Sequence, residues 1–130
     1  NLEVRKPLME ISKEKNEVII KKFDVPYEYL TELSKYKYNL CPEGNNFESH
    51  RIWESLLFNC TPVVLENKVN RNFFDLGVPI IILESWDQFK DLTIKDLHIL
   101  NEINKNRNYT EFVDFEYWEK LILSKKLLKN

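Results

Sequence analysis

Glycine is nearly missing from this chain: of 130 residues only two are glycine, Gly44 and Gly77. No Gly-x-Gly-x-x-Gly fingerprint and no Gly-Lys-Ser/Thr loop occurs, which speaks against dinucleotide and ATP enzymes built on those phosphate cradles. A surplus of basic charge is also lacking. Nineteen Lys and Arg stand against 21 Asp and Glu, for a net charge of −2. A general nucleic-acid binder needs a basic face to displace counterions, so nucleic acid is not an expected partner. No apolar run approaches the roughly 20 residues that span a bilayer, and no membrane segment is expected. The densest runs, Thr61 to Leu65 and Val78 to Leu83, have the length of strands. Arg5, Lys6 and Glu10 interrupt the N-terminal apolar residues, so no signal peptide is read there. The chain begins with Asn1, as an excised piece of a longer protein would.

Cysteine and histidine are scarce as well, two of each. Cys41 is expected at the end of a strand and Cys60 after a helix. That helix runs back about 11 residues, or roughly 16 Å, whereas a disulfide needs Cα atoms within about 7 Å. Buried free thiols are therefore expected, compatible with a reducing compartment such as the cytoplasm. His50 and His98 are too far apart in pattern for a zinc site, and no metal is expected.

What the chain does have is an apolar content of 43%, enough for the core of one domain. Residues 4–15 read as a helix with Leu8 and Ile11 on one face and Pro7 in its first turn. Residues 17–23 read as a strand. Tyr27, Leu30 and Leu33 are spaced for one face of a helix over residues 27–34. A strand over 36–41, a polar loop over 42–46, a helix over 47–59 and a strand over 61–65 follow. The helix should turn Ile52, Leu56 and either Trp53 or Leu57 inward. A short helix near 71–75, a strand over 79–83, a helix capped by Ser85, a helix over 93–103, a polar break at 104–108 and a last helix over 110–128 complete the reading. Alternating helices and strands, with continuous apolar runs in the middle, describe an α/β domain: an open parallel sheet of about four strands with helices on both faces. Ligands of such sheets bind beyond the carboxyl ends of the strands, where residues 41–46 fall.

That stretch carries the chemistry. Gly44 lets the backbone turn and approach a ligand closely. Asn45 and Asn46 accept unusual backbone angles and donate hydrogen bonds. Asn46 or Ser49 is placed to cap the helix, whose free N–H groups and dipole favour an anion. Arg51 sits near the first turn and suits phosphate oxygens as a planar fork. Glu54, three residues on, suits a ribose diol. The same spacing also describes an ordinary surface Arg–Glu pair. Trp53, Trp86 and Trp118 read as packing residues. Lys68 and Arg71 follow a strand and lie within possible reach of the same ligand. His50 stands beside Arg51, near the loop.

From Tyr38 to Val64 the chain resembles the C-terminal half of exostosin-type glycosyltransferases. The residues that carry the likeness are Cys41-Pro42, Gly44, the polar loop, Arg51, Trp53-Glu54-Ser55-Leu56, Cys60 and Pro62-Val63-Val64. Leu76 to Trp86 continues it, and the likeness covers about residues 36–97. It implies a Rossmann-like donor-nucleotide domain, the C-terminal half of a GT-B architecture, with a UDP- or GDP-linked sugar as substrate and no cofactor. It implies Arg51 on the diphosphate, Glu54 on the ribose, Gly44, Asn45 and Asn46 along the diphosphate loop, and Ser49 at the helix start. It implies further partners: a glycan or other hydroxyl acceptor, and an N-terminal domain of the same chain that supplies the catalytic base. Ser55 stands where alanine is usual, Asn46 where many relatives have glycine, and Asn59 where glycine is usual. Asn59 at a helix end can still take the left-handed angle. The competing expectation is a non-catalytic α/β interaction module that kept the fold.

Overall fold

The computed structural model describes residues 2–19, 26–43 and 50–113. Among them the chain is a mixed α/β structure with a three-stranded parallel sheet in the order β1-β2-β3. The elements are α1 (Leu2–Glu14), α2 (Pro26–Leu33), β1 (Tyr38–Leu40), α3 (His50–Leu57), β2 (Thr61–Leu65), α4 (Lys68–Asp75), β3 (Ile81–Leu83), α5 (Trp86–Lys90) and α6 (Ile94–Leu100). Two 3-10 turns, Asn101–Asn104 and Glu111–Val113, follow.

Among the described residues the sheet has three strands, where about four are expected. Residues 17–19 form a turn and an unpaired segment, and the rest of the expected N-terminal strand lies outside the described residues. The β-branched run that suggested it does not bring 17–19 to a sheet partner. Pro7 is a second correction. α1 begins at Leu2, so Pro7 sits inside the helix and not in its first turn. Its missing N–H leaves a gap in the hydrogen-bond ladder. The helix continues through it because Leu8 and Ile11 are buried against the sheet and α5.

β2 is the centre of the sheet. Val63 is opposite Leu40 on one side and Ile81 on the other. The alternation of a strand sends its side chains to two different cores. Val63, Ile81 and Leu83 pack with Leu8 and Ile11 of α1, Trp86 and Phe89 of α5 and Leu97 of α6. Val64 packs on the opposite face with Ile52 and Leu56 of α3, together with Val78, Ile80 and Phe112. Helices therefore cover both faces, as the apolar runs of the strands require. Pro62 is tolerated in the central strand for a local reason. The Thr61 N–H bonds toward β1 and the Glu66 N–H toward β3. Pro62 shares the β3 side, but β3 starts only opposite Val63.

The connections from α3 to β2 and from α4 to β3 close alike. At the end of α3 the Cys60 N–H donates to the Ser55 carbonyl and the Asn59 N–H to Leu56. Asn59 has φ 60°, the left-handed angle that glycine usually supplies at such a cap. At the end of α4 the Val78 and Gly77 N–H groups donate to Phe73 and Phe74, with Gly77 at φ 101°. The helix expected over 93–103 is capped by Thr93 and tightens into a 3-10 turn at Asn101. The cause is Asn104, buried, whose amide donates to the Ile80 carbonyl and to Asn101 Oδ1, both at 2.9 Å. Residues 111–113 of the expected last helix form a 3-10 turn, and 114–130 lie outside the described residues.

Candidate functional site

The carboxyl end of β1 leads through Cys41, Pro42 and Glu43 toward α3. Gly44, Asn45, Asn46 and Ser49 lie outside the described residues. α3 starts at His50 and places Arg51 in its first turn and Glu54 one turn further on. The helix turns Ile52 and Leu56 into the core, both almost wholly buried, with Trp53 half-buried and Leu57 exposed. That burial sets the rotation of the helix and so the direction of its polar side. Arg51 is exposed and Glu54 half-buried.

Under Arg51 runs a chain of hydrogen bonds that ties three elements together. Asn39, in the middle of β1, donates through Nδ2 to the Tyr29 hydroxyl at 3.1 Å and to Ser55 Oγ at 2.9 Å. Ser55 Oγ in turn donates to the Arg51 carbonyl at 2.5 Å. The Arg51 guanidinium lies over the Tyr29 ring, 5.9 Å from its centre. Tyr29 belongs to α2, Asn39 to β1, and Ser55 and Arg51 to α3. Burial raises the Tyr29 phenol above its ordinary pKa, against the opposing pull of the Asn39 bond. At neutral pH it is a neutral ring under a cation.

The two thiols are free and buried. Burial pushes Cys41 up to about 12, despite the nearby Ser55 hydroxyl, and Cys60 also to about 12. They stay protonated and behave as small apolar side chains. Among the described residues no three His, Cys, Asp or Glu side chains come together to hold a metal ion. Among the same residues no helix is long and apolar enough to cross a membrane.

The rim of the sheet completes the picture. Glu43 accepts from Asn67 Nδ2 at 3.0 Å through its carboxylate, and its carbonyl accepts from Arg5 Nε at 3.4 Å. Asn67 also caps α4, accepting from the Asn70 N–H at 2.7 Å. Arg71 forks onto Glu66 at 3.1 and 2.5 Å, which holds the Glu66 carboxyl below its usual range. Arg71 is thus paired with Glu66, just beyond the carboxyl end of β2. Lys68 is exposed at the first position of α4. Trp86 is core, and Trp53 packs edge-on against Phe73 at 5.0 Å.

Sequence reasoning singled out Arg51 and Glu54 but not the hydrogen bonds beside Arg51. Tyr29 and Asn39 carry no motif. Ser55, which reads as a harmless replacement of alanine, supplies the hydroxyl between Asn39 and Arg51. Arg5 lies well before the stretch that carries the resemblance, residues 36–97. A scan against models of known protein families finds no match, and a search of curated proteins returns none.

Proposed function

We propose that this chain is the donor-binding half of a sugar-nucleotide glycosyltransferase, a Rossmann-like domain in a GT-B arrangement. The observation that carries the reading is the position of Arg51 and Glu54, one turn apart on α3 after the carboxyl end of β1. Ligands of parallel sheets collect at that end. Arg51 takes the diphosphate of a UDP- or GDP-linked sugar as a bidentate fork. Glu54 accepts from the ribose hydroxyls. As the sugar leaves for a glycan or other hydroxyl acceptor, the developing charge on the nucleoside diphosphate is stabilised by Arg51 and the helix start. The base that activates the acceptor belongs to a second domain across the cleft, so this chain alone binds donor and transfers nothing.

The test is a titration with UDP and with GDP at millimolar concentration, followed by amide chemical shifts. Shifts should cluster at residues 50–55 and vanish in Arg51→Ala. An unchanged spectrum with both nucleotides would sink the reading. A second reading, an interaction module without catalysis, is favoured by one feature. Ile94, Ile99, Leu100 and Ile103 are 46%, 65%, 39% and 57% exposed. They follow β3, one of the two edge strands of the described sheet. A chain that ignores nucleotides but self-associates through these residues would fit that reading instead.

A further inference from the structure

We propose that Arg5 is a second diphosphate-binding cation, reaching the carboxyl end of β1 from the face opposite Arg51. The inference rests on the donor-nucleotide reading and adds a residue to it. α1 packs in the core on one side of the sheet and α3 in the core on the other. Each carries an arginine in its opening turns: Arg5 contacts the Glu43 carbonyl, and Arg51 lies near enough to Cys41 to act on its thiol. Arg5 is half-buried there, with Nε donating to the Glu43 carbonyl at 3.4 Å.

That bond occupies one N–H of five. The terminal nitrogens of Arg5 have no acceptor among the described residues. The Glu43 carboxylate accepts from Asn67 Nδ2 at 3.0 Å and makes no ion pair with Arg5 among the described residues. None of the ion pairs among the described residues includes Arg5. A guanidinium held at Nε, with no further acceptor for its two-pronged end among the described residues, suits a pair of phosphate oxygens. One guanidinium does not balance the charge of a diphosphate. Two arms, from opposite faces of the sheet, divide it: Arg51 on one phosphate and Arg5 on the other.

The experiment measures dissociation constants of UDP, GDP, the matching monophosphates and inorganic pyrophosphate. It compares the wild-type chain, Arg5→Gln, Arg5→Lys and Arg51→Ala, each first shown to keep the native amide spectrum. Arg5→Gln should weaken diphosphate binding about tenfold and monophosphate binding less than about twofold, the size of one charge-assisted contact. Arg5→Lys, which keeps the charge, should retain most of the preference for diphosphate. Equal weakening of di- and monophosphate would mean that Arg5 only supports the loop, and would overturn the proposal. Unchanged affinity in Arg5→Gln beside a loss in Arg51→Ala overturns it too, and leaves the donor reading standing. Pyrophosphate binding weakened by both variants, in a chain that ignores nucleotides, keeps the two-arginine clamp and overturns the donor reading. A wild-type chain that binds none of these ligands overturns both.

Discussion

The two faces of the sheet are built from different materials. The face under α1, α5 and α6 is a hydrocarbon core: Leu8, Ile11, Val63, Leu83, Trp86, Phe89 and Leu97 meet there. Its polar contacts lie at the margin, where Lys15 Nζ donates to the Leu92 carbonyl at 2.6 Å and to Lys90 at 3.2 Å. The face under α2 and α3 also has an apolar core, but the Tyr29–Asn39–Ser55 network runs beside it. Hydrocarbon packing resists loss of volume but tolerates exchange of one apolar side chain for another of similar size. A satisfied polar network specifies one arrangement, because any slip leaves a donor or acceptor unpaired in a poor solvent. The first face holds the domain together, and the second also fixes where Arg51 stands.

The comparison predicts two kinds of mutant. Phe89→Ala empties a buried ring site on the first face and should lower stability by about 3–5 kcal/mol in chemical denaturation. Where the variant is still folded, its affinity for nucleotide should equal wild type. Loss of binding in the folded variant would mean that the first face also shapes the site, and the contrast would fail. Asn39→Leu removes the donor shared by Tyr29 and Ser55 and should lower stability by about 1–3 kcal/mol. Its distinguishing mark is functional: nucleotide affinity should fall as well, because α3 loses its tie to β1. A destabilised variant with intact binding would show that packing of Ile52 and Leu56 alone positions Arg51.

The same contrast explains what was legible in the sequence. β2 is observed at Thr61–Leu65, as its apolar run indicates. The inward rotation of α3 follows from the spacing of Ile52 and Leu56. Asn59 takes the left-handed angle expected where a helix must turn into a strand. All three are local, written in periodicity and cap chemistry. The contacts around the candidate site are not local. Asn39 meets Tyr29 across 10 residues and Ser55 across 16, and Arg5 meets Glu43 across 38. Single polar residues at such separations leave no pattern in one sequence. Pro7 and Asn101 fail for a related reason. Local propensity places Pro7 in a first turn and continues α6 past Leu100. The packing of Leu8 and Ile11, and the buried Asn104 amide, decide otherwise.

The smallest expected effect separates the rims of the two faces. On the side of α6 the Asp96 carboxylate accepts from the Thr93 N–H at 2.9 Å, and Thr93 Oγ1 accepts from the Asp96 N–H at 3.1 Å. The backbone bond to Thr93, followed by the Thr93 hydroxyl, holds the Asp96 carboxyl below its usual range. On the side of α4 the Arg71 bond does the same for Glu66. In both cases the folded pKa is depressed. The stabilisation is therefore complete above the unfolded carboxylate value and is lost as pH falls through the lower, folded one. Asp96→Asn and Glu66→Gln should each flatten the acid limb of stability against pH. Salt distinguishes them. The exposed Glu66–Arg71 pair is screened, so its contribution should fade at high ionic strength. Asp96 acts through a short bond to a backbone N–H within a capping box, and its contribution should persist. Equal salt sensitivity of the two acid limbs would show that both carboxylates act only as surface charges.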